Sequence, residues 1–380
     1  MTKRVFFLWV VVSGLLLTSC NRPAGNEEAV VSNSSSPLGG LEGAYDQCHT
    51  EACWIYAMLA CIEHEAKLSG DSVLLSRQWL LSRLMEEQTI QRFIIKTQTS
   101  NDNNGLLHTF TKSVDEHVGR LCSPLGGLGG ASRGVGPDAL RLINTYGLVP
   151  YQHERSRINN SRVLERKLCL LADRHAASMP SHPTDARKQQ ALLELKKQLK
   201  ELLPRFTIST PLHSTITEAA SSHISSPLPS TGGDGGGSSS FYYLSMRYTP
   251  LQFAESVMYC QQWQWYASSP YHPYNTMFAL EVPDNRRYHQ YLNLPMKEIE
   301  ARVIASLEDG HAVYWEMSRR RDAGASDHAM AIVGLTRDKK GRLAFLCLNS
   351  YGKKWGHNGY CTVSLSYFRH HTCNVGIIAL

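Results

Sequence analysis

The sequence has no dense block of positive charge. Its 39 Lys and Arg residues stand against 33 Asp and Glu, a formal net charge of +6, and the only basic triplet occupies residues 319–321. A nucleic-acid partner is therefore not expected. Charged residues make up 19% of the chain and hydrophobic residues 42%. That balance is typical of a globular protein and excludes disorder as the general state of the chain.

Motifs that hold metals and phosphates are also missing. The ten cysteines include no Cys-x-x-Cys pair, and the glycine-rich stretch at 232–237 is not followed by Lys-Ser or Lys-Thr. We therefore predict neither a metal site nor a phosphate-binding loop, and no cofactor. Five neighbouring residues have side chains that can bind zinc, but without a Cys-x-x-Cys pair we do not predict a zinc site there, namely at Cys48, His49, Cys53, Cys61 and His64.

The amino terminus has the features of a bacterial lipoprotein signal. Lys3 and Arg4 precede an apolar run at residues 5–17, and Leu17-Thr18-Ser19-Cys20 follows. The run is short for a bilayer span, and small residues before a cysteine are typical of a lipidation site. We predict a signal peptide at residues 1–20 and a lipidated Cys20. The alternative is an ordinary signal with an incidental cysteine.

The predicted anchor sets the expected location of the chain. Residues 21–43 are rich in Ser, Asn, Gly and Pro, as flexible tethers are. Asn21 offers no obvious inner-membrane retention signal, so we expect the bacterial cell envelope, at the outer membrane. Nine cysteines follow Cys20, so at least one thiol stays unpaired if the others form disulfides.

Periodicity divides residues 44–380 into a helical front and a strand-rich back. Helices are predicted at Cys53–Leu68, at 77–87 with Ser76 as N-cap, at 137–146 and at 187–203. The last of these places Leu192, Leu195, Leu199 and Leu202 on one face. A glycine-rich loop spans 105–136, a helical insert about 150–220, and a Gly/Ser-rich loop about 221–240.

The strand-rich part is predicted to form an antiparallel meander. Apolar runs at 329–335 and Leu343–Leu348 flank a turn at 338–341, and residues 360–365 alternate after Asn358-Gly359. The predicted class is α+β, with two lobes and a cleft between them.

Cys53 stands where a helix begins, and this position suits a nucleophile. The positive end of the helix dipole and unpaired backbone N–H groups favour a thiolate. Gln47, six residues upstream, has a side-chain amide able to donate to an oxyanion. Taken alone, Cys53 fits equally well a buried structural cysteine or half of a disulfide.

A second group of residues favours the catalytic interpretation. His328 opens one predicted strand and Asn349 follows the next, so a short hairpin brings them together. An Asn oxygen that accepts from one imidazole nitrogen orients the other nitrogen toward a nucleophile.

These residues resemble the signature of papain-family cysteine peptidases. The matching parts are Gln47, Cys53-Trp54, Asp327-His328-Ala329, Asn349-Ser350 and the glycine-rich stretch at 352–360. Further segments resemble the bleomycin hydrolase and aminopeptidase C branch, at 75–76, 144–150, 249–253, 272–274 and 307–315. The resemblance covers roughly residues 45–378.

The resemblance implies a papain-like two-lobe fold with the cysteine on a helical lobe and the histidine and asparagine on an antiparallel β-barrel-like lobe. It implies Cys53 as nucleophile, His328 as general acid/base, Asn349 as its orienting partner and Gln47 in the oxyanion hole. Tyr351 and Thr50 depart from the family pattern, where Trp and a half-cystine are usual. We therefore expect weaker shielding of His328 and no disulfide at position 50.

The function predicted is a peptidase acting on peptides or proteins. Bleomycin hydrolases carry a longer carboxyl-terminal arm in the cleft, and the sequence ends at Leu380. Aminopeptidase specificity and the hexameric cage are therefore not transferred, and endopeptidase cleavage stays open. An amidase or transferase with the same residues is a related alternative. A catalytically silent papain-like module that binds peptides or a protein partner is the alternative of another class.

Overall fold

A computed structural model of the chain describes residues 45–99, 132–180, 183–208, 239–259, 261–282, 284–318 and 327–379. The predicted signal peptide, the tether and most of both glycine-rich loops lie outside these residues, as do Cys20 and the basic triplet. Among the described helices, none combines the length and apolar character of a bilayer span.

Eight α-helices and ten strands lie in the described part of the chain. The helices are α1 Cys53–Leu68, α2 Arg77–Thr99, α3 Gly136–Tyr146, α4 Ser161–Ala177, α5 Asp185–Leu202, α6 Pro250–Val257, α7 Met296–Glu308 and α8 Leu365–His371. The strands are β1 Phe241–Tyr243, β2 Met246–Tyr248, β3 Trp263–Ala267, β4 Met277–Ala279, β5 Gln290–Asn293, β6 Val313–Met317, β7 His328–Arg337, β8 Leu343–Leu348, β9 Tyr360–Ser364 and β10 Thr372–Ile378.

The helical front half is confirmed, with different bounds at some ends. Helix α1 has the predicted bounds, and the Ser76 hydroxyl accepts from the Trp79 N–H at the start of α2 (3.1 Å). Helix α2 continues to Thr99, beyond the predicted end at residue 87. The apolar pattern weakens near residue 87, but no Gly or Pro stands there to end the helix, so the helix continues.

The buried face of α5 differs from the predicted leucine face. Ala191, Leu195 and Leu199 are buried, whereas Leu202 is 40% exposed. The three buried residues are spaced by four, so they form one narrow stripe along the helix. The small Ala191 lies in this stripe, and the hydrophobicity of leucine alone had pointed to a neighbouring face.

The strand-rich half forms one eight-stranded sheet in the order β4-β5-β3-β10-β6-β7-β8-β9. The β7-β8-β9 meander is confirmed, but β3 and β5 pair in parallel, so the sheet is mixed. Helices α7 and α8 were not predicted in this half. Residue 365, predicted as the end of a strand, begins α8 because the Ser364 hydroxyl caps the helix through the Tyr367 N–H.

Two large apolar cores lie on the two faces of the sheet in the described part of the chain. One core contains the buried faces of α1 and α2 together with parts of β6–β8. The other packs α7 and α8 against the opposite face of the sheet. Side chains alternate across a strand, so the central strands contribute to both cores, and α1 packs against two of them, β6 and β7. The class α+β is confirmed.

Candidate active site

The β7–β8 hairpin brings His328 and Asn349 together as predicted. Ala331 lies opposite Leu348 in the strand register, which places the first residue of β7 beside the residue that follows β8. His328 Nε2 and Asn349 Oδ1 are 2.8 Å apart, and both side chains are buried. Because Asn349 Oδ1 also accepts from the Ser350 N–H at 2.7 Å, the amide oxygen faces the ring and His328 Nε2 is the donor.

Cys53 lies at the start of α1 next to the same hairpin. Its thiol is free and half-buried, and the backbone N–H of Ala329 donates to the sulfur. The nucleophile candidate therefore lies beside the residue that follows His328. The alternative of a disulfide-bonded Cys53 is excluded.

The electrostatics of Cys53 differ from the sequence expectation. Burial raises the pKa of the thiol to about 12, and the Glu316 carboxylate acts in the same direction. The backbone N–H groups of Ala329 and Trp54 and the charge of Arg133 act to lower this pKa. The predicted helix-start effect is present, but desolvation of the sulfur outweighs it when no substrate is bound.

Gln47 connects the two sides of the site. Its backbone N–H donates to the Ser350 carbonyl (2.8 Å), and its Oε1 accepts from the Ser350 hydroxyl. Its Nε2 donates one hydrogen to the Thr50 carbonyl (2.6 Å). The amide orientation is therefore fixed, and the same nitrogen carries a second hydrogen. Thr50, which stands in place of the usual half-cystine, thus helps to hold the Gln47 side chain.

Tyr351 covers the imidazole by direct stacking. Its ring lies 5.0 Å from that of His328 at an interplanar angle of 22°, and Trp355 packs edge-on against it at 5.9 Å. A tyrosine at this position therefore provides an aromatic lid over His328, backed by a second ring. The phenol ring covers a smaller area of the imidazole than the usual indole of Trp would, and this is the sense in which His328 is less shielded.

The segment before α3 is fixed against the residue that follows Cys53. Trp54 Nε1 donates to the Ser132 carbonyl (2.8 Å), and a Cβ on Gly134 would lie 2.7 Å from the Trp54 ring. Arg133 is thereby kept near the thiol, with its Nε 3.6 Å from Asp284 and 3.9 Å from Glu51. These carboxylates partly neutralise its charge.

A buried polar cluster beside Cys53 was missed by sequence reasoning. Glu316 on β6 is 1% exposed and accepts from the Tyr314 hydroxyl, the Asn374 amide (2.7 Å) and the Gly136 N–H (2.9 Å). A signal for it existed, because Glu316 is the only charged residue in the strand Val313–Met317. A charged residue in a fully buried strand requires partners and deserves a functional explanation.

Comparisons with known proteins find peptidases. The Peptidase C1-like family matches residues 316–379, the segment that contains His328 and Asn349. Aminopeptidase G of Lactobacillus delbrueckii subsp. lactis is 22% identical over 405 residues, covering 96% of this chain and 86% of that protein. Aminopeptidase W of the same organism is 28% identical over 177 residues. That match spans 36% of this chain and only 40% of aminopeptidase W.

A solved structure supports the fold. The crystal structure of PepW from Lactobacillus rhamnosis superposes with a TM-score of 0.61 at 18% identity, covering 89% of this chain and 80% of that one. The mixed α+β architecture is that of papain-like peptidases, as predicted. The chain therefore resembles the Peptidase C1-like family in its sequence and papain-like cysteine peptidases in its fold.

Proposed function

We propose that the chain is a thiol-dependent peptidase in which Cys53, His328, Asn349 and Gln47 carry the reaction. The observation that supports these roles most directly is the His328–Asn349 hydrogen bond at 2.8 Å, formed next to the Ala329 N–H that reaches the Cys53 sulfur. With Nε2 engaged by Asn349, Nδ1 is the ring nitrogen that serves the sulfur.

The proposed reaction runs through a thioester. His328 takes the proton of Cys53, and the sulfur attacks the carbonyl carbon of the scissile bond. The second hydrogen on Gln47 Nε2 and the Cys53 N–H stabilise the oxyanion. His328 then protonates the leaving amine, and a water molecule activated by the same imidazole hydrolyses the thioester and restores the thiol.

Covalent labelling tests the nucleophile. We expect an epoxide inhibitor directed at thiols to modify Cys53, and Cys53→Ala to abolish both labelling and peptide hydrolysis. Cys48→Ser is the matched control, because Cys48 is the exposed free thiol five residues upstream. The control is expected to keep both properties. Hydrolysis that persists in Cys53→Ala would overturn the proposal.

The position of cleavage needs its own experiment. The relatives named above are called aminopeptidases, and for this chain we propose peptide substrates without choosing between endopeptidase and aminopeptidase action. Pairs of peptides with free and acetylated amino termini separate the two. An endopeptidase cleaves both members of a pair, whereas an aminopeptidase cleaves only the free one.

A catalytically silent peptide-binding module is the second candidate, favoured by one observation. Burial raises the pKa of the Cys53 thiol to about 12, which by itself describes an unreactive cysteine. The rate of alkylation of Cys53 against pH separates the candidates. A reactive pair with His328 gives alkylation at and below neutral pH, whereas an isolated buried thiol reacts only in strongly alkaline solution.

We further propose that the chain is held at the bacterial cell envelope by a lipid on Cys20. The signal pattern at residues 1–20 supports this, and so does the disulfide at Cys169 in α4, since disulfides persist in oxidising compartments. Growth with a labelled fatty acid is expected to label the full chain in the membrane fraction. Cys20→Ala should lose the label, and a label retained by this variant would contradict the anchor.

A further inference from the structure

The carboxylate of Glu316 lies close enough to Cys53 to act on its thiol, and strand register explains this position. Glu316 on β6 is directly opposite Ala329 on β7 and directly opposite Asn374 on β10. Residues in such positions place their side chains on one face. Cys53 packs against the core that contains Ala329 and Tyr314. Glu316 shares a face of β6 with Tyr314, so the carboxylate lies on the same face of the sheet as the thiol.

Two buried polar atoms of this cluster have no hydrogen-bond partner in the described part of the chain. The Asn374 amide nitrogen donates to Glu316, but Asn374 Oδ1 has no partner among the described residues although the side chain is fully buried. The hydroxyl of Tyr291, also fully buried, has none among them either. Asn374 Oδ1 beside the carboxylate can therefore accept a hydrogen bond from a bound group.

Aromatic rings form the wall of the cluster. Trp265 packs edge-on against Tyr314 at 5.4 Å and against Tyr291 at 6.3 Å, and it closes over Gly136 at the start of α3. The guanidinium of Arg133, which acts on Cys53, already faces Asp284 and Glu51. A carboxylate, a carbonyl oxygen and aromatic rings together match an ammonium group, which only donates hydrogen bonds and carries positive charge.

We propose that Glu316 and Asn374 bind an ammonium group of the substrate beside Cys53, so that the enzyme prefers peptides carrying a positive charge close to the scissile bond. The proposal rests on the proposed peptidase function. The ammonium comes either from the free amino terminus of the peptide or from a lysine side chain, and both present the same three N–H donors. Glu316 would then determine specificity without taking part in bond cleavage.

Two pairs of substrates distinguish the sources in the full chain. One pair has a free or an acetylated amino terminus before the same residue, and the other has an acetylated peptide with lysine or norleucine next to the residue at the scissile bond. We expect kcat/KM to favour the charged member of at least one pair by about tenfold or more. Glu316→Gln is expected to bring that ratio close to one. Equal rates within both wild-type pairs would overturn the proposal without the need for any variant.

Glu300→Gln is the matched control for the substitution. Glu300 is a buried carboxylate that pairs with Arg369 between α7 and α8, on the other core of the molecule. We expect this variant to keep the preference of the wild type. A preference lost equally in Glu300→Gln and Glu316→Gln would show a general charge effect and overturn the assignment to Glu316.

A labelling experiment tests the site even if the chain hydrolyses no peptide. 2-Aminoethyl methanethiosulfonate and neutral methyl methanethiosulfonate both form a disulfide with Cys53, and mass spectrometry of the peptide that contains Cys53 gives both rates. We expect the ratio of cationic to neutral labelling to fall several-fold in Glu316→Gln. An unchanged ratio contradicts the ammonium site, whereas failure of hydrolysis with a changed ratio contradicts only the peptidase proposal.

Discussion

At the residue scale, Glu316 is a fully buried carboxyl that accepts hydrogen bonds from three donors, and the fold changes its protonation. Burial raises the pKa of this carboxyl from 4.5 to about 7, and the Asp284 carboxylate adds to the effect. Hydrogen bonds from Tyr314, Asn374 and the Gly136 N–H lower the pKa but only partly offset the loss of solvation. A neutral Glu316 is therefore accessible near neutral pH, while an incoming ammonium favours the ionised form.

This pKa predicts how stability depends on pH. Between the unfolded pKa and the folded pKa, the native state binds more protons than the unfolded chain, so raising the pH from about 4.5 to about 7 weakens folding. The loss from this group amounts to roughly 3 kcal/mol. We expect Glu316→Gln to flatten the pH dependence of the urea midpoint in this window, with Glu300→Gln as control. If Glu316→Gln leaves the slope of the urea midpoint against pH unchanged, the raised pKa of Glu316 is contradicted.

At the scale of elements, one buried ion pair joins α1 to the start of α2. Arg77 donates to both carboxylate oxygens of Glu63, one contact at 2.7 Å, and its guanidinium lies 4.4 Å from the Tyr45 ring. The Tyr45 hydroxyl donates to the same carboxylate, and the Tyr45 carbonyl accepts from the Gly352 N–H (3.1 Å). The pair therefore fixes the helix that carries Cys53 to the segment that leads into Gln47.

Removal of one partner is expected to be costly. Arg77→Met keeps much of the volume but leaves Glu63 buried without its counter-charge, which should cost about 3–5 kcal/mol of unfolding free energy. Chemical denaturation monitored by tryptophan fluorescence measures the loss. The double variant Glu63→Leu with Arg77→Met should recover part of the stability, because neither charge then remains buried. A single variant as stable as the wild type would show that solvent reaches the pair.

At the scale of the whole molecule, the candidate site depends on contacts between distant parts of the chain. Gln47 and Ser350 lie 303 positions apart and are joined by both a backbone and a side-chain hydrogen bond. Helix α1 packs against β6 and β7, so its first residue comes to the hairpin that carries His328. Helix α4 carries a further long-lived link, the disulfide at Cys169.

That disulfide predicts redox-dependent stability. Its reduction releases a constraint on the unfolded chain, and we expect the unfolding free energy to fall by about 2–4 kcal/mol. Thermal unfolding with and without a phosphine reductant measures the change, and Cys169→Ser should remove the difference between the two conditions. An identical Tm for the wild type in both would contradict a stabilising role. Cys61 and Cys347 are buried free thiols, so they contribute no disulfide to this comparison.

Local patterns were sufficient to predict much of the site. The bounds of α1 follow from apolar spacing, and the meeting of His328 with Asn349 follows from the short hairpin between β7 and β8. The extension of α2, the face of α5 and the parallel pairing of β3 with β5 were not predictable in this way. Each depends on which surface another element covers, and that information is not present in one segment.

The sequence by itself determined the α+β class, the helix start at Cys53 and the hairpin that joins His328 to Asn349, because neighbours in the chain and strand register set these features. The tertiary structure alone decided that the Cys53 sulfur lies beside Ala329, that burial raises its pKa, and that Glu316 stands one strand away. Desolvation and charge effects are sums over all surrounding groups. These effects arise only when folding brings residues that are hundreds of positions apart into one buried region.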